Sequence, residues 1–159
     1  MSKTTRATQA LDKLKIDFTL HPHHSTGPNA DSIGLQAAAA LGVPASCVLK
    51  TLMAEVDGKP MCVVVPSDRE VSMKKLAGAF GGKSAKMMKP ADAERLTGYH
   101  VGGISPFGQK KRLPTAMEPK RARNRWSISM AGSTTLQIRL DPHALCQAIG
   151  ARATPLVAD

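Results

Sequence analysis

An α+β fold is what this sequence predicts: a single domain built on a mixed, barrel-like sheet with short helices flanking it. Three observations carry that expectation. A chain of 159 residues that is 42% apolar and 21% charged is long enough to bury one core and too apolar to stay disordered. Short runs with strand character alternate with short runs of helical spacing along the chain. Asp57-Gly58 stands between two strand runs, a strong short-range signal for a hairpin.

The elements follow in order. Ala7, Ala10, Leu11 and Leu14 recur at helical spacing, with Ser2, Thr4 or Thr5 as N-cap. A short strand, Phe18 to His21, leads into a His/Pro/Gly/Asn-rich loop, Pro22 to Asp31. A helix over about Ser32 to Leu41 stops at Gly42. Strands at Val48 to Val56 and Met61 to Val65 form the hairpin. A helix from Val71 to Phe80 ends in Gly81-Gly82, and another starts at Pro90 and closes at Gly98. Gly98 to Gln109 reads as a glycine-rich loop. Three strands are expected next, at Leu113 to Met117, Trp126 to Met130 and Thr134 to Leu140, with Ala131-Gly132-Ser133 turning between the last two. Asp141-Pro142 opens a final helix that Gly150 stops. The domain core is placed at about residues 5–149, and the tail beyond Ala151 is expected to fray.

Charge is the first guide to function. The net charge of +10 and isoelectric point near 9.9 point to a polyanionic partner, because clustered cations gain affinity by releasing counterions from phosphates. Residues 74–89 carry Lys74, Lys75, Lys83, Lys86 and Lys89 with no acid. Residues 110–125 carry Lys110, Lys111, Arg112, Lys120, Arg121, Arg123 and Arg125 against Glu118 alone. A solvated basic face is the plainer alternative. Cys47, Cys62 and Cys146 have neither disulfide-framework nor zinc spacing and read as reduced thiols. No apolar run approaches the roughly 20 residues of a membrane helix, and no secretory signal opens the chain. A cytoplasmic protein without membrane contact is expected.

Several motifs point away from common chemistries. Ala77-Gly-Ala-Phe-Gly-Gly-Lys83-Ser84 matches a loose phosphate-binding loop, but such a loop must follow a strand and open a helix. Here its glycines sit where a helix should stop. His21, His23 and His24 lack the third or fourth ligand a zinc site wants. No nucleophile–base–acid set shows by spacing. Two segments remain. Lys50 stands at the start of an apolar strand, where its ammonium either reaches the surface or faces a pocket that receives an anion. The glycines of the 98–112 segment permit close backbone approach, and its N–H groups can hold an oxyanion or phosphate.

These segments resemble the YbaK family, free-standing relatives of the prolyl-tRNA synthetase editing domain. The resemblance rests on Val48-Leu49-Lys50-Thr51-Leu52, on Asp57-Gly58-Lys59-Pro60, and on Lys74-Lys75-Leu76-Ala77. It rests above all on the whole stretch Leu96-Thr-Gly-Tyr-His-Val-Gly-Gly-Ile-Ser-Pro-Phe-Gly-Gln-Lys-Lys-Arg-Leu-Pro114, and it spans about Thr5 to Ile149.

The resemblance implies cleavage of the ester that joins an amino acid to the tRNA 3′ terminus, with Cys-tRNA(Pro) the usual substrate. It implies Lys50 as the key functional side chain. Gly102, Gly103, Ile104, Ser105 and Pro106 would shape the pocket for the terminal adenosine and ester. Lys110, Lys111 and Arg112 would meet acceptor-end phosphates. No metal or organic cofactor is expected, and prolyl-tRNA synthetase is a candidate partner. The cysteine-specific pattern also implies an aromatic near His23, another near Ile33, a serine near Met130 and an acid near Gln137. None is present here. The amino acid removed therefore stays open between cysteine and another small residue such as alanine. Two other functions stand beside editing: a tRNA-binding module without turnover, and an enzyme on another nucleotide-linked ester.

Overall fold

Thr5 starts the first helix by a reciprocal cap. Its hydroxyl accepts from the Thr8 N–H while the Thr8 hydroxyl accepts from the Thr5 N–H, satisfying two otherwise orphan donors. In this computed structural model, which describes residues 5–22, 33–101, 103–119, 127–133 and 136–158, five helices and eight strands follow that cap. The helices are α1 (Arg6–Lys13), α2 (Ile33–Leu41), α3 (Met73–Ala79), α4 (Pro90–Thr97) and α5 (Pro142–Ile149). The strands are β1 (Thr19–Pro22), β2 (Leu49–Val56), β3 (Lys59–Pro66), β4 (Ala85–Met87), β5 (Thr115–Met117), β6 (Ser127–Ser133), β7 (Leu136–Leu140) and β8 (Arg152–Ala153).

The α+β class and the mixed pairing hold, but among the described residues the strands form two sheets and no closed barrel. One sheet runs β1-β7-β6 and is antiparallel throughout. The other runs β4-β2-β3-β5-β8, antiparallel on the β4-β2-β3 side and parallel from β3 through β8. At the β2–β3 turn Asp57 and Gly58 have φ of 50° and 81°. Both values are left-handed, as the tightest two-residue hairpins require. The Asp57 carboxylate accepts from the N–H groups of Lys83 and Ser84 at 3.0 to 3.2 Å, and those bonds hold it below the usual carboxylate range.

The five-stranded sheet is covered on both faces. On one, Leu49, Val64 and Met117 share a core with Ala7 and Leu11 of α1, Ile138 and Leu140 of β7, and Leu145 and Ile149 of α5. On the other, Ala54, Val56, Val63 and Val65 pack with Leu76 and Ala77 of α3 and with Leu156.

Three details differ from the sequence reading, each for a local reason, and the glycine stop after α3 agrees with it. The short β4 pairs with Ala54–Val56 although its own residues are mostly exposed and carry no strand period. Ala131-Gly132-Ser133 continues β6 instead of turning, because the irregularity is absorbed as a register shift between Met130 and Ser133. Gly81 and Gly82 close α3: the Gly82 N–H donates to Ala77 and the Gly81 N–H to Gly78, with Gly81 at φ 68°. That is a helix C-terminal cap and leaves no phosphate loop there. The tail is tied down rather than frayed. The Leu156 and Val157 N–H groups donate to Glu118 Oε1 at 2.8 and 2.9 Å, and Lys75 Nζ donates to the Val157 carbonyl at 2.8 Å. Leu156 is fully buried.

No described helix is long and apolar enough to cross a membrane. Cys47, Cys62 and Cys146 form no disulfide among the described residues, and burial pushes Cys62 up to about 11. The described residues contain no metal-holding group of three His, Cys, Asp or Glu. His21 bonds Thr19 Oγ1 at 2.8 Å; His23 and His24 lie outside the described residues.

Candidate active site at the β2 strand and the 98–112 loop

Lys50 is the second residue of β2 and pairs with Val65 of β3 in an unbroken register. Strand alternation puts it on the face that carries Leu52, Ala54 and Val56, the side covered by α3. Its side chain is half-buried, and it makes no hydrogen bond or ion pair with a described residue. An ammonium partly out of water without a counter-charge costs free energy that an arriving anion recovers.

Thr51 points to the opposite face. It is buried, and its Oγ1 has no hydrogen-bond partner among the described residues. Such a hydroxyl is normally satisfied in a folded protein. It was not singled out from sequence, since a threonine in a strand is ordinary; only its burial without a partner marks it.

The loop packs on the Thr51 face of the hairpin. Gln109 Nε2 donates to the Ser105 carbonyl at 3.0 Å and reaches Cys62 Sγ at 3.6 Å and Met53 Sδ at 3.9 Å. Ile104 belongs to the same core as Met53 and Cys62, and Phe107 to that of Leu49 and Val64. The loop's interior and the Lys50 side chain therefore meet β2 from opposite faces.

The loop itself is held by its ends. Gly98, at φ 81°, caps α4. The Lys110 and Lys111 N–H groups then donate back to the Thr97 and Leu96 carbonyls, closing the loop at its base. Tyr99, buried, donates its hydroxyl to the Phe107 carbonyl, and the Phe107 N–H donates to Ser105 Oγ at 3.2 Å. Burial pushes the Tyr99 phenol up to about 12.

Residues 102–106 differ in the N–H groups they can offer. Gly102 lies outside the described residues. The Gly103 N–H is already given to the His100 carbonyl at 2.9 Å, and Pro106 has none to give. The N–H groups of Ile104 and Ser105 donate to no described residue, although both residues are buried. Unpaired buried N–H groups are rare in folded proteins.

The basic triplet divides. Lys110, Lys111 and Arg112 are all exposed, but the Arg112 guanidinium lies over Gly150 at the C-terminus of α5, 3.0 Å from where a Cβ would stand. There it meets the negative end of the helix dipole.

The fold is a small α+β domain in which the Lys50 side chain and the Ile104 and Ser105 N–H groups have no partner among the described residues. The chain belongs to the aminoacyl-tRNA editing domain family, whose model matches residues 27–153. It is 32% identical over 146 residues to EbsC of Enterococcus faecalis, assigned as a Cys-tRNA(Pro)/Cys-tRNA(Cys) deacylase, covering 90% of this chain and 88% of that one. It is also 38% identical over 81 residues to the proline–tRNA ligase of Nitratidesulfovibrio vulgaris, which covers 51% of this chain and 14% of the ligase. A crystal structure described as a trans-editing enzyme for prolyl tRNA synthetase superposes with a TM-score of 0.85 at 20% identity, over 99% of this chain and all of the other. The resemblance to YbaK proteins read from the sequence thus stands.

Proposed function

We propose that this protein is a cytoplasmic trans-editing deacylase that cleaves the ester of a mischarged tRNA, with Cys-tRNA(Pro) the first candidate substrate. The observation that carries this reading is the editing-family match across residues 27–153, supported by the near full-length similarity to a deacylase. Similarity to part of a proline–tRNA ligase favours tRNA(Pro) as the RNA and prolyl-tRNA synthetase as a partner.

The chemistry asks little of the protein. An aminoacyl ester is already reactive, so positioning and charge stabilisation suffice. The Ile104 and Ser105 N–H groups receive the carbonyl oxygen as it gains negative charge. Lys50, on the opposite face of β2, binds the terminal phosphate. Gly103 and Pro106 shape the loop, and the Thr51 hydroxyl is a polar contact for the substrate. With a cysteinyl ester the substrate supplies its own nucleophile. The thiol sulfur bonds to the carbonyl carbon, the carbon–oxygen bond to the ribose breaks, and the thiol proton ends on the departing ribose oxygen. With another small amino acid, water attacks instead and the products are free amino acid and tRNA. These steps call on no metal or organic cofactor.

The test is a deacylation assay over Cys-tRNA(Pro), Ala-tRNA(Pro) and Pro-tRNA(Pro). Faster release from Cys-tRNA(Pro) is expected, with thiolactone separating the internal route from hydrolysis. Release from Ala-tRNA(Pro) alone reassigns the substrate. Binding of tRNA without release from any of them makes the protein a non-catalytic module.

A further inference from the structure

Arg6 opens α1 with a positive charge at the positive end of the helix, and no acid in the first turn offsets it. Its position is explained by the loop instead. A Cβ on Gly98 would collide with the Arg6 guanidinium, and a Cβ on Gly108 would collide with the Arg6 backbone carbonyl. Both glycines are left-handed, with φ of 81° and 62°. The loop that carries Ile104 and Ser105 thus begins and ends against Arg6.

A second cation converges on the same point. The Lys110 N–H donates to the Thr97 carbonyl at 2.9 Å, which folds Lys110 back alongside Gly98. The Lys110 Cβ lies 3.5 Å from the position over Gly98 that the guanidinium crowds. Both residues are exposed, and neither side chain has a hydrogen-bond or ion-pair partner among the described residues. The acids of α4 are engaged elsewhere: Asp92 with Arg95 at 3.3 Å, and Glu94 with the Val101 N–H at 2.9 Å. Two neighbouring cations without an acid repel each other until an anion lies between them.

We propose that Arg6 and Lys110 together bind one backbone phosphate of the tRNA near its aminoacylated end. The planar guanidinium offers paired donors to phosphate oxygens and the lysine a mobile point charge, a combination matched to a phosphodiester. The site sits at the base of the loop whose unpaired N–H groups would receive the ester, so it registers the RNA against that loop. This inference rests on the tRNA-deacylase reading.

The experiment is tRNA(Pro) binding measured against salt for wild type, Arg6→Gln, Lys110→Gln, Arg6→Lys and Lys13→Gln, with melting temperatures for each. Lys13 lies at the far end of α1 and controls for loss of net charge. Arg6→Gln and Lys110→Gln should each lower the log–log slope, by no more than the roughly 0.7 to 0.9 that one phosphate contributes. Arg6→Lys and Lys13→Gln should keep it. A wild-type slope in folded Arg6→Gln overturns the inference. So does a loss of slope in Arg6→Lys equal to that in Arg6→Gln, which would mean that Arg6 only seats the loop. Absence of tRNA binding by the wild type would instead remove the deacylase reading, and this site with it.

Discussion

The Tyr99 hydroxyl donates to the Phe107 carbonyl across the loop, so one phenol fixes the spacing between the loop's two limbs. Burial raises that phenol to about 12, against an ordinary value of 10.0. Between those values the folded protein holds a proton that the unfolded chain has lost. Stability contributed by Tyr99 is thus fully present below about pH 10 and is lost as pH rises toward 12. The chain has one tyrosine, so an absorbance titration reads this group alone. The native midpoint should lie well above that of the chain in denaturant; coincident midpoints would contradict the buried bond. Tyr99→Phe should cost about 1 kcal/mol, the usual net value of such a bond.

Lys50→Ala should lower deacylation by about 10²-fold or more, the scale of losing one preorganised charge contact. Folding should survive, because the ammonium has no described partner to orphan. Near wild-type turnover by the folded variant would remove Lys50 from the reaction.

Gly108→Ala tests the loop seat. The position is left-handed, and the added methyl meets the Arg6 backbone, which cannot swing away as a side chain can. A loss of about 1 to 3 kcal/mol is expected from strain at such a site. Gly58→Ala is the comparison, since it shares the left-handed φ but meets nothing within 4 Å. Equal losses in the two would mean that the contact with Arg6 adds nothing.

The C-terminal segment should prove structural. Leu156→Ala opens a cavity against α3 and should cost about 2 to 5 kcal/mol. Glu118→Ala leaves the Leu156 and Val157 N–H groups without their acceptor and should cost about 1 to 3 kcal/mol. Chemical denaturation measures both. Wild-type stability in both variants would return the tail to the frayed end that its sequence implied.

What the sequence disclosed and what it hid divide on physical lines. Thr5, Asp57-Gly58, Gly42, Gly81, Gly98 and Asp141 act through their nearest neighbours, so their caps and turns were readable from residue type. The β4 and β8 strands, of three and two residues, hold only by pairing with distant partners and carry no period of their own. Lys50 stood out because an ammonium in an apolar strand is anomalous. Thr51 and Arg6 did not, since nothing local distinguishes an unpaired hydroxyl or a charge seated on glycines more than ninety residues away. The loop was recognisable as a motif, but the engagement of Gly103 with His100 became visible only in three dimensions.

That same distinction sharpens what neutralising the basic triplet should do. Lys110 and Lys111 leave the loop's base with exposed ammonium groups that have no partner among the described residues, whereas Arg112 lies against the C-terminus of α5. Lys110→Gln with Lys111→Gln should flatten the salt dependence of tRNA binding by about 1.4 to 1.8 in the log–log slope, two phosphate contacts' worth. Arg112→Gln should barely change that slope but should lower stability by about 0.3 to 1 kcal/mol, the value of a cation at a helix C-terminus. Titrating binding against salt and melting each variant separates the two roles. A slope change for Arg112→Gln as large as that of a single lysine would put all three cations on the RNA.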